Sequence, residues 1–173
     1  MSEYSIRAAS AEHIPFLAAI EQRAASLFPA GSIPDHIRSD TLPPDLVYEG
    51  VRNGNLWVVL DAGGIPVGYA LVRFVEGLAL LAQIDVLPEH GRKGLGTRLI
   101  REAAQWAGEQ GYERLYLTTF THVPWNAPFY ARLGFRTLHE GNTPDAIRAI
   151  LGEERDYGLE NRVGMELFVK DMQ

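Results

Sequence analysis

The stretch Ile84–Thr97, which reads IDVLPEHGRKGLGT, is the most informative part of the chain because it joins a strand pattern to a helix pattern through a basic, glycine-rich turn. Apolar residues alternate before the turn, and from Leu95 onward they recur with helical spacing. Glycines let a backbone approach a ligand closely, and the first amides of a helix have no partner within it. We therefore expect an anion, such as a pyrophosphate, to bind where the turn meets the helix.

Other glycine-rich loops fit this stretch less well. A dinucleotide fingerprint needs a glycine where Leu99 stands, and a P-loop needs a lysine directly before Thr97, where the chain has Gly96. The segment Gly91–Gly94 also has the pattern with which KH domains clamp RNA, but a KH loop joins two helices and this one follows a strand. Taken alone, the loop is equally compatible with a tight turn that binds nothing.

Working outward, the patterns predict a helix, an antiparallel meander, a β-α-β unit and a closing strand. The expected upstream elements are a strand at Tyr4–Ala8, a helix from Ser10 to about Leu27, a loop or broken helix at Pro29–Pro44, a helical turn at Asp45–Arg52, and strands at Leu56–Leu60, Val67–Val75 and Leu78–Val86. The expected downstream elements are a helix from Leu95 to Gly108 or Gly111, a strand at Arg114–Phe120, a short helix at Asn126–Leu133, a strand at Phe135–Leu138, a polar helix from about Pro144 to Arg155, and a strand at Val163–Val169. This order predicts an α/β (α+β) fold with a mixed, mostly antiparallel sheet, helices on both faces, and one domain over residues 1–173.

Composition excludes several classes of function. The 173 residues carry a formal net charge of −6, which is unlike a general nucleic-acid binder. There is no cysteine, and the five histidines show no helical metal-ligand spacing, so we expect neither disulfides nor a metal. No apolar run has the length of a signal peptide or a membrane span, which predicts a cytoplasmic protein without a membrane or nucleic-acid partner.

Two segments together resemble the GNAT N-acetyltransferase superfamily. Residues 86–99 read VLPEHGRKGLGTRL and are similar to its coenzyme A loop, while residues 126–135 read NAPFYARLGF and are similar to its Asn…Tyr…Gly-Phe segment. The resemblance follows the element order from Tyr4 to Lys170 and is specific between Ile84 and Phe135. It implies a GNAT-like sheet whose central β-α-β unit binds acetyl-coenzyme A as cosubstrate, and acetyl transfer to an amine.

The resemblance also implies a set of coenzyme-binding residues. These are Ile84, Val86, Gly91, Arg92, Lys93, Gly94, Leu95, Gly96, Thr97, Asn126, Phe129, Tyr130 and Arg132. The superfamily usually has Gln or Arg where this chain has Gly91, so a side-chain contact is lost there and a backbone amide stays. Asn126 also suits the N-cap of the short helix, and the two roles are compatible.

Three residues carry the implied chemistry. The backbone N–H near Val86 is expected to face the oxyanion, and Tyr130 to protonate the departing thiolate, although Tyr130 also suits a core aromatic of its helix. Many superfamily members carry a glutamate base on the preceding strand, where this chain has Gln83. Four proton acceptors stay open: His122, Glu21, Asp85, or a water molecule that Gln83 holds. We take Gln83 and Asp85 to point to opposite faces of their strand, so that at most one enters the cleft.

The acceptor is expected to be a primary amine of a small molecule that attacks the thioester directly in a ternary complex. We expect Glu21 or His122 to contact it, between the first helix with its following loop and the segment near Pro144. The alternatives are a protein that binds acetyl-coenzyme A without catalysis and an enzyme that acetylates a protein amine. A homodimer is left open. Two further sets are interpreted as structural, namely the packing aromatics Phe28, Trp57 and Trp125 and the solvated helix face Glu153–Asp156.

Overall fold

The computed structural model describes residues 3–172, which form a seven-stranded sheet and six α-helices. The strands are β1 (Ser5–Ala8), β2 (Leu56–Leu60), β3 (Pro66–Val75), β4 (Leu78–Val86), β5 (Arg114–Phe120), β6 (Arg136–Thr137) and β7 (Arg162–Phe168). The helices are α1 (Ile14–Ala25), α2 (Asp35–Arg38), α3 (Pro44–Asn53), α4 (Leu95–Glu109), α5 (Ala127–Arg132) and α6 (Asp145–Asp156). Short 3-10 turns lie at Ala11–His13, Pro88–His90 and Val169–Met172.

The sheet has the strand order β1-β2-β3-β4-β5-β7-β6, and its neighbouring strands are antiparallel except for β4 and β5. The parallel pair is connected through α4, which forms the predicted β-α-β unit. The prediction of a mixed, mostly antiparallel sheet is confirmed.

Helices cover both faces of the sheet, as predicted. On one face, α4 buries an apolar stripe that includes Leu99, Ile100 and Ala103, each fully inaccessible, against side chains of β2 to β5. On the other face, Leu17 and Ile20 of α1 are buried together with α3 and β3. The α6 helix extends this second layer by burying Ile147 against Leu80 of β4 and Tyr116 of β5.

The first helix differs from its prediction at both ends. Ser10 caps a 3-10 turn, and α1 proper begins only at Ile14. Leu27, which we expected on the apolar side, lies beyond the end of α1 and is 50% exposed. Ala18 is exposed too, because the buried stripe of this helix follows Leu17 and Ile20, and the residue after Leu17 is rotated away from it by about 100°.

A gap opens in the centre of the sheet. The parallel pairing of β4 with β5 joins Ala79 to Leu115 and Leu80 to Tyr116, and it does not extend further. Beyond Leu80, β4 continues to Val86 while β5 diverges from it. The backbone edge of β4 is therefore available to a ligand inside the sheet.

A β-bulge in β4 determines which side chains enter this region. Leu71 of β3 lies opposite Gln83, but the next residue, Val72, lies opposite Leu81, so that Ala82 has no partner. Such an extra residue reverses the alternation of side chains along the strand. Leu81 therefore packs in the α4 layer, whereas Gln83 lies on the opposite face with Leu71.

Within residues 3–172, no helix combines the length and the apolar character that crossing a membrane requires. The same residues contain no group of three or more His, Cys, Asp or Glu side chains arranged to hold a metal ion.

Candidate functional site

The glycine-rich turn forms a groove at the end of β4. Gly94 is the N-cap of α4 with a left-handed backbone (φ 76°), a conformation that favours glycine. A Cβ built on Gly96 would lie 3.7 Å from the Phe129 ring, so the turn and α5 are adjacent. The groove is lined by Val86, His90, Gly91, Arg92, Gly94, Leu95, Gly96, Thr97 and Phe129. Seven of the loop residues that the resemblance implied are thus gathered around one groove.

The remaining coenzyme-site candidates are placed differently. Leu95 is 2% exposed and packs in the core, so its backbone amide rather than its side chain faces the groove. Ile84 is half-buried against the same core. Lys93 extends over the ring of Tyr4, with its Nζ 5.7 Å from the ring centre, and Arg132 is exposed on α5.

The backbone N–H of Val86 points into the central gap. Val86 lies opposite Gly68 of β3, and the neighbouring Leu87 donates a backbone hydrogen bond of 2.8 Å to Val67. Opposite pairs in an antiparallel ladder alternate between hydrogen-bonded and non-hydrogen-bonded. Val86 therefore belongs to a non-hydrogen-bonded pair, and its N–H is directed away from β3 toward the side where β5 has diverged.

Asn126 begins α5 without capping it through its side chain. Its Oδ1 instead accepts a hydrogen bond of 2.8 Å from the Thr119 hydroxyl of β5. This contact fixes the amide plane and leaves the Nδ2 protons to face other groups. Asn126 is at the N-cap position, as interpreted. Its side chain, however, makes no hydrogen bond to the first backbone amides of α5.

Tyr130 lies on α5 with its ring half-buried against Phe129 and Phe135, at centroid distances of 5.3 and 5.7 Å. Burial raises the pKa of its hydroxyl above the ordinary value, and the nearby Asp85 carboxylate raises it further, while Arg162 opposes the shift. The hydroxyl is therefore protonated at neutral pH and can donate a proton.

Gln83 and Asp85 lie on the same face of β4, and the prediction that they point to opposite faces is wrong. Residues i and i+2 of a strand share a face, and the bulge precedes both of them. The Gln83 side-chain amide donates a hydrogen bond of 2.6 Å to Asp85 Oδ2. Burial raises the pKa of Asp85 well above its usual range, partly opposed by the Gln83 bond, and the charge of Glu21 raises it further.

Glu21 is a second carboxylate, and its charge is close enough to affect Asp85. We refer to Asp85 and Glu21 together as the acidic cluster. Glu21 Oε2 accepts hydrogen bonds from the backbone N–H of Leu42, at 2.9 Å, and from the hydroxyl of the buried Tyr69, at 3.2 Å. Burial raises the pKa of Glu21, whereas these two donors lower it. Glu21 thus ties the segment before α3 to the sheet, and this structural role occupies one of its two oxygens.

An ion pair lies beyond β5, between β7 and α6. Arg162 Nε of β7 donates to Glu154 Oε2 of α6 at 2.6 Å, and both side chains are less than a fifth exposed. The Thr118 hydroxyl of β5 donates to the other Glu154 oxygen. The interpretation of Glu153–Asp156 as a solvated face is therefore wrong at Glu154, because the side chain reaches back to the sheet.

His122 lies apart from the acidic cluster. It is exposed, and its Nε2 is 3.2 Å from the backbone oxygen of Ser32 in the segment between α1 and α3. His122 therefore joins this segment to the loop after β5. Glu21 contacts Leu42 and Tyr69 instead, so the two residues that we expected to contact the acceptor lie in different places.

The chain matches the Acetyltransferase (GNAT) family over residues 18–135, which is more than half of its length. The chain belongs to the GNAT family. Two Bacillus subtilis proteins are similar to it. An uncharacterized N-acetyltransferase, YobR, is 33% identical over 69 residues, which are 40% of this chain and 28% of that protein. A second acetyltransferase is 33% identical over 92 residues, 53% of this chain and 60% of that protein. The chain thus spans less than two thirds of both relatives.

The fold is also similar to solved GNAT structures. The PaiA N-acetyltransferase from Thermoplasma acidophilum, solved in complex with coenzyme A, has a TM-score of 0.68 and 20% identity. The similarity covers 97% of this chain and 99% of the Thermoplasma protein. At this level of identity the likeness concerns the fold alone.

Sequence reasoning missed two side chains, one that lines the groove and one that acts on the pKa of Tyr130. His90 lines the groove, and the charge of Arg162 on β7 opposes the rise in the pKa of Tyr130. His90 could have been suspected from its place in the quoted loop. Arg162 could not, because its position depends on the pairing of β5 with β7.

Proposed function

We propose that this GNAT-family protein is a single-domain N-acetyltransferase that moves an acetyl group from acetyl-coenzyme A to a primary amine of a small molecule. The observation that carries the proposal is the meeting of three features at one gap in the sheet. These are the glycine-lined groove, the inward N–H of Val86, and the Tyr130 hydroxyl, whose pKa is raised by burial and by the charge of Asp85. Donor, acceptor and proton-transfer groups can therefore meet in one ternary complex.

The groove suits the diphosphate of the coenzyme. A Cβ added at Gly94 would meet nothing within 4 Å, so the turn leaves open space next to the unpaired amides of α4. The helix N-terminus adds partial positive charge, and Arg92 and Lys93 add full charges in the same turn. Asn126 and Phe129 would contact the pantetheine arm from α5.

Attack on the thioester places negative charge on its carbonyl oxygen. The Val86 N–H is directed into the gap and can donate a hydrogen bond to that oxygen. A preorganised donor of this kind contributes about 3–4 kcal/mol to transition-state stabilisation in other acyl-transfer enzymes. Tyr130 retains its proton at neutral pH and can deliver it to the departing thiolate.

The acceptor amine has to lose a proton, and Asp85 is the best-placed group to take it. An ordinary aspartate is a weak base, but the raised pKa of Asp85 brings it closer to the range in which general bases work. Gln83 would act by orienting this carboxylate through its 2.6 Å hydrogen bond. Burial is the main reason that the pKa of Asp85 is high; the charge of Glu21 adds to it and would attract a cationic amine.

The connection between α1 and α3 (residues 26–43) favours a small acceptor. It runs from α1 to the far side of the gap, where Ile33 is buried against Phe120 and Val123. Tyr157, which follows α6, fixes it there by donating a hydrogen bond of 2.7 Å to Asp40. Because this segment packs over that part of the molecule, we propose a small amine rather than a folded protein surface as the acceptor.

The test is turnover of acetyl-coenzyme A with a panel of small amines and amine-bearing peptides, read as free thiol together with a mass increase of the acceptor. We expect both signals with at least one small amine. Binding of the coenzyme without thiol release across the panel would favour a non-catalytic protein. Turnover with the peptides alone would shift the proposal to a protein acceptor.

A further inference from the structure

The structure points to a coenzyme contact outside the glycine backbone. We propose that His90 binds a phosphate of the coenzyme through its Nε2–H, and that Tyr4 is the positioning residue that holds the ring in this state. This inference rests on the proposed function, because it assumes that the groove takes coenzyme A. It assigns a role to two side chains that have no part in the acetyl-transfer chemistry described above.

The geometry joins the start of the chain to the loop. The Tyr4 hydroxyl lies 2.7 Å from His90 Nδ1, although the two residues are 86 positions apart. Their rings meet edge to face at 5.6 Å, which fixes the plane of the imidazole. His90 is half-buried, and it lines the groove together with Gly91 and Thr97. Tyr4 therefore engages Nδ1 of a residue that lines the groove.

The hydrogen bond to Tyr4 constrains the other nitrogen. A neutral imidazole has one N–H, and the nitrogen that accepts a bond cannot carry it. When the Tyr4 hydroxyl donates to Nδ1, the ring proton is on Nε2 and can be donated to an anion. In the opposite arrangement Nε2 would present a lone pair and repel a phosphate. Coenzyme binding therefore selects the Nε2–H form, and Tyr4 is the group that makes this form available.

The surrounding charges suit an anion at this position. The adjacent Glu89 is engaged by Arg23 of α1 at 2.7 Å, so its carboxylate is held toward α1. Lys93 lies over the Tyr4 ring, and Arg98 of α4 approaches the backbone oxygen of Tyr4 at 3.5 Å. Gly91 has no side chain that could donate a hydrogen bond to a phosphate, whereas the ring of the neighbouring His90 can donate one.

Affinity for coenzyme A in three variants tests the donor. His90→Leu keeps the bulk and removes the N–H, and we expect binding to weaken roughly tenfold to a hundredfold, as for the loss of a hydrogen bond to a charged group. His90→Gln can place an N–H near the same point and should keep most of the affinity. Tyr4→Phe should weaken binding roughly twofold to tenfold. The exposed His139, replaced by Leu, is the matched control.

A second donor separates phosphate binding from general damage. Acetyl-pantetheine lacks the diphosphate, so His90→Leu should raise KM for acetyl-coenzyme A and leave KM for acetyl-pantetheine unchanged. An equal loss with both donors would overturn the inference, and so would parental coenzyme affinity in His90→Leu. A parent protein that binds no coenzyme A would instead overturn the proposed function, and this inference with it.

Nitrogen-15 NMR of the labelled imidazole gives a readout that a merely packing role would not change. In alkaline buffer with saturating coenzyme A, we expect the His90 signals of the Nε2–H tautomer in the parent. In Tyr4→Phe we expect a mixture of tautomers before coenzyme is added. A dominant Nδ1–H tautomer in the parent complex would contradict the proposal.

Discussion

The side-chain amide of Gln83 donates a hydrogen bond of 2.6 Å to the carboxylate of Asp85 on the same face of β4. The bond links a residue that cannot accept a proton at neutral pH to one that can. The pKa of Tyr130 on α5 is raised by burial and further by the charge of Asp85, so this carboxylate is coupled both to Gln83 and to the hydroxyl of Tyr130.

Replacing Asp85 by Asn should lower turnover by roughly two to four powers of ten, as for the loss of a general base. In the parent, kcat/KM should rise with pH as Asp85 loses its proton. Because its pKa is raised, this limb should lie at higher pH than for an exposed aspartate. The variant should lose that limb. The exposed Asp45, replaced by Asn, is the matched control, and parental turnover in Asp85→Asn would remove the carboxylate from the mechanism.

The same substitution should increase stability at neutral pH. A carboxyl group whose pKa is higher in the folded state binds protons more tightly when folded, so its contribution is present below the unfolded pKa and is lost as the pH rises through the folded one. The difference in unfolding free energy between Asp85→Asn and the parent should therefore grow from acid to neutral pH. Urea unfolding at several pH values measures it, and a difference that shrinks with pH would contradict the assigned shift.

Tyr130→Phe should lower kcat by roughly two to four powers of ten while coenzyme affinity stays close to parental. The substitution keeps the ring contacts with Phe129 and Phe135 and removes only the hydroxyl. Single-turnover measurements would establish that chemistry limits the rate. The exposed Tyr48, replaced by Phe, is the control. Unchanged single-turnover rates would leave solvent as the proton donor.

Gly96→Val should abolish coenzyme binding, because a side chain there fills the groove beside Phe129. The fold should be preserved, since the first added carbon would be at an ordinary contact distance of 3.7 Å. Gly94→Val should also abolish binding but should cost an additional ~1–2 kcal/mol of stability, because the position has φ 76°. Calorimetry and thermal unfolding separate the two effects, and tight coenzyme binding by Gly96→Val would show that the groove is misassigned.

Glu154→Leu should destabilise the protein by about 1.5–3 kcal/mol, because it leaves the half-buried Arg162 without its charged partner. The double variant with Arg162→Leu should lose less than the sum of the two single variants. Denaturant unfolding of the four proteins forms the cycle. Strict additivity would indicate that the ion pair contributes nothing beyond its separate side chains.

The local pattern determined much of the architecture. The bounds of β2, β4 and β5 coincide with the predicted strands, because each is a mainly apolar segment that is followed by turn or loop residues. The strand-to-helix turn was likewise readable, since left-handed backbone at Gly94 and free amides at a helix start are properties of a few consecutive residues. The position of the groove at the end of β4 could therefore be predicted before any packing was known.

Only the tertiary structure decided which side chains meet at the gap. The bulge at Ala82 depends on pairing with β3, and it places Leu81 and Gln83 on opposite faces although they are two residues apart. The Tyr4–His90 and Glu154–Arg162 contacts join distant or separately packed elements. A sequence specifies backbone periodicity through neighbouring residues, whereas these contacts arise from strand register and helix packing across the whole sheet. For that reason the pattern alone located the groove, and the fold was needed to gather the acidic cluster beside it.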